Sequence, residues 1–212
     1  MKVRINKFIS RSGEASRRGA DKLIAQGRVT VNGQIVQELG LKIDDMGDKV
    51  EIDGKKIQPY KKPDYILLNK PLGYLVTRKD PYYRKTVMEL LPADKSYIFP
   101  VGRLDLDSEG LLLLTNDGEL AHRLMHPSFK VKKEYLVRVK DRPDAAEIKK
   151  LERGVYLDNK KTAPSKIKLI RETQKTTIFS IEIHEGRKRE IRRMFKTVGY
   201  PVLLLKLSLI HI

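Results

Sequence analysis

A polar loop between two apolar runs constrains the fold more than any other part of this 212-residue chain. Residues 98–101 and 111–114 are the apolar runs, and residues 102–110 bring one arginine, three acids and two glycines between them. Short apolar runs bounded by glycine and polar residues are typical of buried strands. The pattern therefore predicts a polar loop at the end of a sheet, where a fixed backbone can hold a reactive side chain in place.

The acids of this loop permit two other interpretations. Asp105, Asp107 and Glu109, followed by Gly110, imitate the start of a calcium-binding EF-hand loop. An EF-hand needs a glutamate six residues after that glycine, where this chain has Asn116, and it needs flanking helices, where this chain has strand-like runs. Calcium binding is therefore the weaker alternative.

A purely structural turn is the second alternative. It accounts for Asp107 and Ser108 as turn residues that bond to their own backbone. It accounts for Arg103, in an otherwise apolar run, only if the arginine pairs with an acid. A paired aspartate stays ionised, as a carboxylate nucleophile must, so Asp105 remains a candidate catalytic residue.

Net charge indicates the class of partner. The chain has 44 basic and 27 acidic side chains, a net charge of +17. Both parts are basic, because residues 1–60 hold 12 basic and 8 acidic side chains and residues 61–212 hold 32 and 19. Such a field attracts polyanions and favours nucleic acid as the partner. An anionic membrane surface is the alternative, and it would call for a basic amphipathic helix without a folded enzyme behind it.

Composition excludes several kinds of site. The absence of cysteine excludes disulfides, thiolate nucleophiles and cysteine-ligated zinc, and four scattered histidines disfavour a metal centre. No apolar run reaches the roughly 20 residues that span a bilayer. The first residues also lack the apolar core of a signal peptide. We therefore expect a soluble cytoplasmic protein without a metal.

The chain divides into two predicted domains, residues 1–60 and 61–212, at a proline- and lysine-rich connector over residues 58–63. In the first domain, residues 5–12 and 16–25 are typical of short helices. Two hairpins are predicted to follow, because Asn-Gly or Asp-Gly lies between β-prone runs at Asn32-Gly33 and Asp53-Gly54.

The second domain is predicted to be a mixed, mostly antiparallel sheet, which makes the fold class α+β. Strands with few long helices between them disfavour parallel winding. The strands are expected at residues 65–68, 98–101, 111–114, 131–139, 166–171, 176–184 and 202–207, and short helices at 86–91, 119–125 and 144–153.

Residues 185–196 form a second candidate centre. On a helix, one face is apolar and the opposite face is basic: Ile191, Met194, Phe195 and Val198 against Arg189, Arg192, Arg193 and Lys196. A basic stripe opposite an apolar one is often only solvated surface. Like charges at this spacing repel by about 0.2–0.5 kcal/mol per pair, and a bound polyanion would relieve the repulsion.

Residues 1–57 resemble the RNA-binding domain named after ribosomal protein S-four. The matching positions are Asn6-Lys7-Phe8, Gly13, Ser16-Arg17-Arg18, Ala20-Asp21, Leu23-Ile24, Gly27-Arg28-Val29 and Val31-Asn32-Gly33. That family binds structured RNA through its helix pair. The resemblance implies that Lys7, Arg17, Arg18 and Arg28 contact phosphates, two of them at a helix start where amide groups also face the phosphate.

Residues 65–195 resemble the RsuA/RluB-type pseudouridine synthases. Seven blocks match in the family's order: Asn69-Lys70-Pro71, Gly102-Arg103-Leu104-Asp105, Ser108-Glu109-Gly110-Leu111, Thr115-Asn116-Asp117-Gly118, His126-Pro127, Lys133-Glu134-Tyr135, and Gly186 with Arg189 and Ile191-Arg192-Arg193-Met194. Family members isomerise a uridine of ribosomal RNA to pseudouridine without a metal or a cofactor. They flip the target base out of its helix, which costs a few kcal/mol.

The resemblance also implies roles for site residues. Asp105 is expected to be the nucleophile, Tyr135 to stack on the uracil, and Arg192 to pair with Asp105. From spacing alone, Tyr135 would be a core aromatic. The residues expected to contact the substrate are Arg103, which would hold the flipped site open, Ile191, which would pack near the base, and Arg189 and Arg193.

Two positions depart from the family pattern. Glu190 stands where the family usually has glutamine, and an acid beside a carboxylate nucleophile bears on the nucleophile's pKa. Residues 208–212 stand where the family continues with a further strand. We therefore expect the chain to be truncated there, with 208–212 a foreign or misread end, and a neighbouring strand to be left without its partner at a sheet edge.

The sequence thus favours a monomeric pseudouridine synthase of large-subunit 23S ribosomal RNA, which needs no cofactor. A small-subunit 16S enzyme and a non-catalytic RNA-binding assembly factor are the alternatives. Asp105 argues against the assembly factor, because a retired site has no physical need for that carboxylate.

Overall fold

The computed structural model describes residues 2–59 and 62–211, with side chains up to Ser208. It forms two compact units, Met1–Asp64 with Ala93–Ile98, and Tyr65–Pro92 with Phe99–Ile212. The sequence predicts a single boundary near residue 60 and does not predict that Ala93–Ile98 returns to the first unit. In the described part of the chain, no helix is both long enough and apolar enough to cross a bilayer.

The first unit pairs two short helices with short strands. Its elements are β1 Lys2–Arg4, α1 Ile5–Arg11, α2 Arg17–Ala25, β2 Val29–Val31, β3 Gln34–Ile35, β4 Lys42–Asp44, β5 Val50–Ile52 and β6 Lys55–Lys56. Ser16 caps α2, because its Oγ accepts a hydrogen bond from the Gly19 amide at 3.1 Å. Asn32 and Gly33 both adopt positive φ, 52° and 82°, as a tight hairpin turn requires. The predicted helices and hairpins are confirmed, whereas the β1–β4 pair was not predicted.

The second unit is built on a mixed, mostly antiparallel sheet, as predicted. Its elements are β7 Tyr65–Lys70, β8 Phe99–Val101, β9 Glu109–Thr115, α3 Gly118–Met125, β10 Lys132–Lys140, α4 Ala145–Glu152, β11 Tyr156–Leu157, β12 Lys160–Lys161, β13 Lys166–Glu172, β14 Thr176–Ile183, α5 Glu190–Thr197 and β15 Val202–His211. The strand order is β13-β14-β10-β15-β9-β7, with β8 also paired to β9. Only the pair of β15 with β9 is parallel among the described strands.

Helix α5 covers one face of this sheet. Its buried side chains Ile191, Met194 and Phe195 join a core with residues of β10 and β14. The rings of Phe179 and Phe195 lie 6.0 Å apart between centroids. This packing fixes the direction of α5, so the residues at its start keep a defined position beside the sheet.

Four local expectations differ from the structure. Helix α5 begins only at Glu190, and Arg189 is its N-cap residue in the left-handed region, φ 52°, so Arg189 does not belong to a helical basic stripe. Residues 86–91 form a 3-10 turn, Val87–Leu90, rather than an α-helix. The β11–β12 hairpin was missed. Strand β15 is longer than predicted, because it continues past residue 207 to His211, and it lies between β10 and β9.

Candidate active site

A buried lysine fixes the loop that carries Asp105. Lys70, the last residue of β7, is fully buried, and its Nζ donates hydrogen bonds to the carbonyl oxygens of Pro71, Asp105 and Ser108 at 3.0, 3.2 and 2.7 Å. Burial lowers the pKa of Lys70, while the acids of the loop oppose that shift. One cation beneath the loop therefore fixes the loop backbone at Asp105 itself and at Ser108, three residues later.

A backbone hydrogen bond and a glycine also hold this loop in place. The Gly73 amide donates to the Leu106 carbonyl at 2.9 Å. Gly110 faces Leu207 in the parallel pair of β9 with β15 and has a φ of 112°, and a Cβ there would lie 2.1 Å from the Leu207 carbonyl oxygen. A larger residue at 110 would separate the two strands, so the loop depends on this glycine for its anchorage in the sheet.

Arg189 supplies a cation beside the Asp105 carboxylate. It donates two hydrogen bonds to the Asp107 carboxylate, at 3.0 and 2.8 Å, and its NH1 lies 3.7 Å from Oδ2 of Asp105. Asp105 keeps a third of its side chain exposed. The nucleophile candidate is thus accessible, with a positive charge beside it.

Arg192 does not pair with Asp105, contrary to expectation. Its NH2 donates to the Asp107 carbonyl, its NH1 donates to the Val202 carbonyl at 3.1 Å, and its Nε lies 3.5 Å from the Asp107 carboxylate. Arg192 lies within the first turn of α5, where these two carbonyls are in reach, whereas Arg189 precedes the helix and can extend along the loop. Burial lowers the pKa of Arg192, and Asp107 opposes this shift.

Arg103 also differs from its expected structural role. Its side chain is exposed, and it forms no ion pair with any other described residue. The arginines that pair with the loop acids come from the start of α5 instead. The hydrogen bonds from Arg189 are the main cause that lowers the pKa of Asp107.

The EF-hand alternative is wrong. The loop is flanked by strands β8 and β9, and an EF-hand requires a helix on each side.

Tyr135 lies on β10 at the edge of the core under the site. Burial raises its pKa to about 12, and Glu190 and Asp105 raise it further as negative neighbours. The ring is therefore neutral at any physiological pH. Ile191 is buried in the same core, with 4% of its surface exposed.

Glu190 is the unexpected group. Its side chain is buried, Oε2 accepts a hydrogen bond from the Arg187 amide at 2.9 Å, and Oε1 has no donor. Burial raises its pKa to about 7, and the neighbouring carboxylate of Glu185 reinforces the shift. A protonated Glu190 can donate from Oε1 to Glu185, which satisfies the buried oxygen. Below neutral pH, Glu190 is thus a neutral hydrogen-bond donor, like the glutamine that the family usually has at this position.

The remaining predicted contacts are surface residues. Arg193 pairs with Asp158 at 2.6 Å, and in the first unit Arg28 pairs with Asp53. Arg17 and Arg18 are exposed in the first turn of α2. Exposed pairs of this kind contribute about 0–1 kcal/mol, so a phosphate can replace the carboxylate partner.

Two site residues were missed from sequence. The alternation of β7 signals Lys70, because Ile66 and Leu68 are the other residues on its inward face. Glu190 precedes buried Met194 by one helical turn, which is the signal for its burial.

A family model for RNA pseudouridylate synthases matches residues 64–197, more than half of the chain. The chain belongs to the RNA pseudouridylate synthase family. An S4 domain model matches residues 3–50, which lie in the first unit.

Relatives cover almost all of the chain. An uncharacterized RNA pseudouridine synthase of Aquifex aeolicus is 46% identical over 207 residues, 97% of this chain and 83% of the relative. Ribosomal large subunit pseudouridine synthase B of Bacillus subtilis is 45% identical over 205 residues, 96% of this chain and 83% of the relative. A crystal structure of a pseudouridylate synthase superimposes with a TM-score of 0.69 at 28% identity, covering 98% of this chain and 88% of that one.

Proposed function

We propose that this chain converts a uridine of large-subunit ribosomal RNA to pseudouridine, with Asp105 as the nucleophile. The observation that carries the proposal is the setting of Asp105, a partly exposed carboxylate on a loop that Lys70 fixes, 3.7 Å from Arg189. The 45% identity to the large-subunit enzyme of Bacillus subtilis supports that choice of substrate.

The reaction is an isomerisation in which every heavy atom of the nucleotide is retained. The Asp105 carboxylate adds to the nucleoside, the bond from N1 of uracil to C1′ of the ribose breaks, and the base turns. A bond from C5 to C1′ then forms, and the carboxylate is released. The proton that leaves C5 is balanced by one gained at N1, so no oxidant or co-substrate is consumed. We therefore propose an enzyme that acts without a cofactor, as a monomer, in the cytoplasm.

The side chains around Asp105 have different roles in the proposed reaction. Tyr135, neutral throughout the physiological range, stacks on the flipped uracil, with Ile191 beneath it. Arg189 keeps a positive charge 3.7 Å from the Asp105 carboxylate while it binds Asp107. Arg192 is a positioning residue that acts through the backbone and carboxylate of Asp107.

The surface cations bind the rest of the RNA. Arg103 and Arg193 lie in the second unit, which is the proposed catalytic unit. They contact phosphates next to the flipped base, and Arg103 holds the flipped site open. In the S4 domain the proposed phosphate contacts are Lys7, Arg17, Arg18 and Arg28. Exchange of Asp53 and Asp158 for phosphate releases counterions and makes affinity dependent on salt.

Asp105→Asn tests the assignment of the nucleophile. The amide is nearly isosteric but cannot attack as a carboxylate, so tritium release from RNA labelled at uridine C5 should stop while RNA affinity changes little. Asp94→Asn, which alters an exposed acid of the first unit, is the control and should retain activity. Turnover by Asp105→Asn would place the chemistry elsewhere.

Carbodiimide mapping of ribosomal RNA from cells with and without the protein tests the substrate. We expect one pseudouridine to disappear from 23S RNA when the gene is deleted. Its loss from 16S RNA would identify a small-subunit enzyme, and an unchanged map would identify a non-catalytic RNA-binding protein.

A further inference from the structure

Residues 78–85, between β7 and β8, form an exposed loop with two adjacent tyrosines. Tyr82 is 77% exposed and Tyr83 is 97% exposed. The same eight residues carry four basic side chains and one acid. Two consecutive aromatic residues that are both exposed to water are unusual on a protein surface, and they mark interaction sites when cations surround them.

The loop is rigidly built around Asp80. Its carboxylate is only 5% exposed and accepts hydrogen bonds from the amides of Tyr82 and Arg84, at 3.0 and 3.1 Å. It also binds the Arg84 guanidinium through both oxygens, at 3.1 and 2.7 Å. These bonds, which we call the Asp80 clamp, lower the pKa of Asp80 to about 2. The clamp therefore persists throughout the physiological pH range.

The clamp holds Tyr83 in an unfavourable backbone conformation. Its φ of 54° lies in the left-handed region, which an aromatic residue rarely adopts. The side chain contributes nothing to the core, since 97% of it is exposed. Strain of this kind, kept where the ring has no structural use, points to a functional role for the ring.

Cations are stacked on the aromatic rings of this region. The Arg84 guanidinium lies 5.2 Å from the centre of the Tyr82 ring, and Lys85 Nζ lies 5.9 Å from that of Tyr74. Such pairs make a surface that is both aromatic and positive. Nucleic-acid bases stack on exposed aromatic rings, while nearby cations attract the backbone.

The stem of the loop is joined to the catalytic loop. Leu75 closes the stem through backbone hydrogen bonds with Lys85 and Val87, both at 2.9 Å. Two residues before Leu75, the Gly73 amide binds the Leu106 carbonyl, next to Asp105. The tyrosines are therefore carried by a rigid segment that starts at the rim of the active site.

We propose that Tyr82 and Tyr83 form a stacking platform for an unpaired nucleotide of the substrate RNA, close in sequence to the target uridine. The proposal rests on the proposed function. Base flipping disrupts the helix around the target, which supplies unstacked neighbours. A platform that stacks such a neighbour lowers the cost of opening the helix and helps to select RNA with an unpaired base at that position.

The test uses the full chain and a ribosomal RNA stem-loop that contains the target uridine. The double variant Tyr82→Ala/Tyr83→Ala should weaken RNA binding by about 5- to 150-fold, as expected for the loss of one base–aromatic stack. The effect should fall on KM rather than kcat. The dependence of affinity on salt should not change, because no phosphate contact is removed.

Two matched controls separate stacking from other roles. Tyr82→Phe/Tyr83→Phe keeps both rings and should restore affinity. Abasic substitutions at unpaired nucleotides near the target should include one that weakens binding to the unmodified protein but not to the Ala variant. Equal affinity of the unmodified and Ala proteins, a flatter salt dependence, or no such abasic position would overturn the platform.

Failure of the platform is distinguishable from failure of the proposed function. An unmodified protein that turns over RNA, with an Ala variant of equal KM, refutes only the platform. An unmodified protein without turnover refutes the proposed function. Loss of binding to a ribosomal protein, with RNA affinity unchanged, would assign the tyrosines to a protein partner and overturn the platform as well.

Discussion

Replacing Glu190 by glutamine should stabilise the catalytic unit at alkaline pH but not at acid pH. The folded protein keeps the Glu190 proton up to a pKa of about 7, whereas an unfolded glutamate loses it near 4.5. Between these two values the unfolded state alone is ionised, so stability falls as pH rises, and above about 7 the loss is complete. Glutamine carries no titrating proton and escapes this loss, while its amide can still donate to Glu185.

The size of the effect follows from the pKa difference. At 1.36 kcal/mol for each pH unit, a difference of about 2.5 units gives a loss of roughly 3.4 kcal/mol. The lowered pKa of Glu185 offsets part of this loss and leaves about 2–3 kcal/mol. For a unit of this size that corresponds to a rise of roughly 5–10 °C in melting temperature. Glu190→Gln should therefore melt at the same temperature as the unmodified protein at pH 4.5, and well above it at pH 8.

Differential scanning calorimetry resolves the melting of the larger unit from that of the smaller one. Glu119→Gln removes another acid of the same unit, from the first turn of α3 where a negative charge is favourable, so this control should not raise the melting temperature at pH 8. The reasoning is refuted if Glu190→Gln changes the melting temperature equally at pH 4.5 and pH 8, or lowers it at pH 8.

Two further predictions concern cations. Lys70→Met should destabilise the catalytic unit by about 2–4 kcal/mol, because the buried Ser108 carbonyl loses its hydrogen-bond donor and two part-buried carbonyls lose a charged donor. Urea denaturation measures this effect, with Lys150→Met at an exposed position as the control. An equal denaturation midpoint for the two variants would contradict the prediction. Arg17→Gln/Arg18→Gln should weaken RNA binding and reduce the slope of log affinity against log salt by about 1.4–1.8, and an unchanged slope in a filter-binding titration would show that α2 does not contact phosphate.

The sheet could largely be predicted from sequence, because its strands are defined by local patterns. Residues 176–183 alternate between buried and partly exposed faces over most of β14, and residues 111–114 form an apolar run that is almost wholly buried in β9. Short strands such as β11 and β12, two residues each, carry too little pattern to be recognised.

The side-chain partners could not be predicted in the same way. Arg189 and Asp107 are 82 residues apart, and their contact depends on where α5 begins. No serine, threonine, asparagine or aspartate marks that start, since an arginine in the left-handed region occupies the N-cap. For Lys70, the general preference of lysine for water outweighed the alternation of β7 that places it inside.

The place of β15 in the sheet has a consequence for synthesis of the protein. β15 lies between β10 and β9, which the ribosome makes about 60 and 90 residues earlier. Until residues 202–211 emerge from the exit tunnel, the facing edges of β9 and β10 lack their partner and are open to pairing with other chains. Among the described strands, the strand with Tyr135 and the strand that follows Asp105 meet only through this late insertion, so the sheet that carries the site can close only after residues 202–211 have left the tunnel.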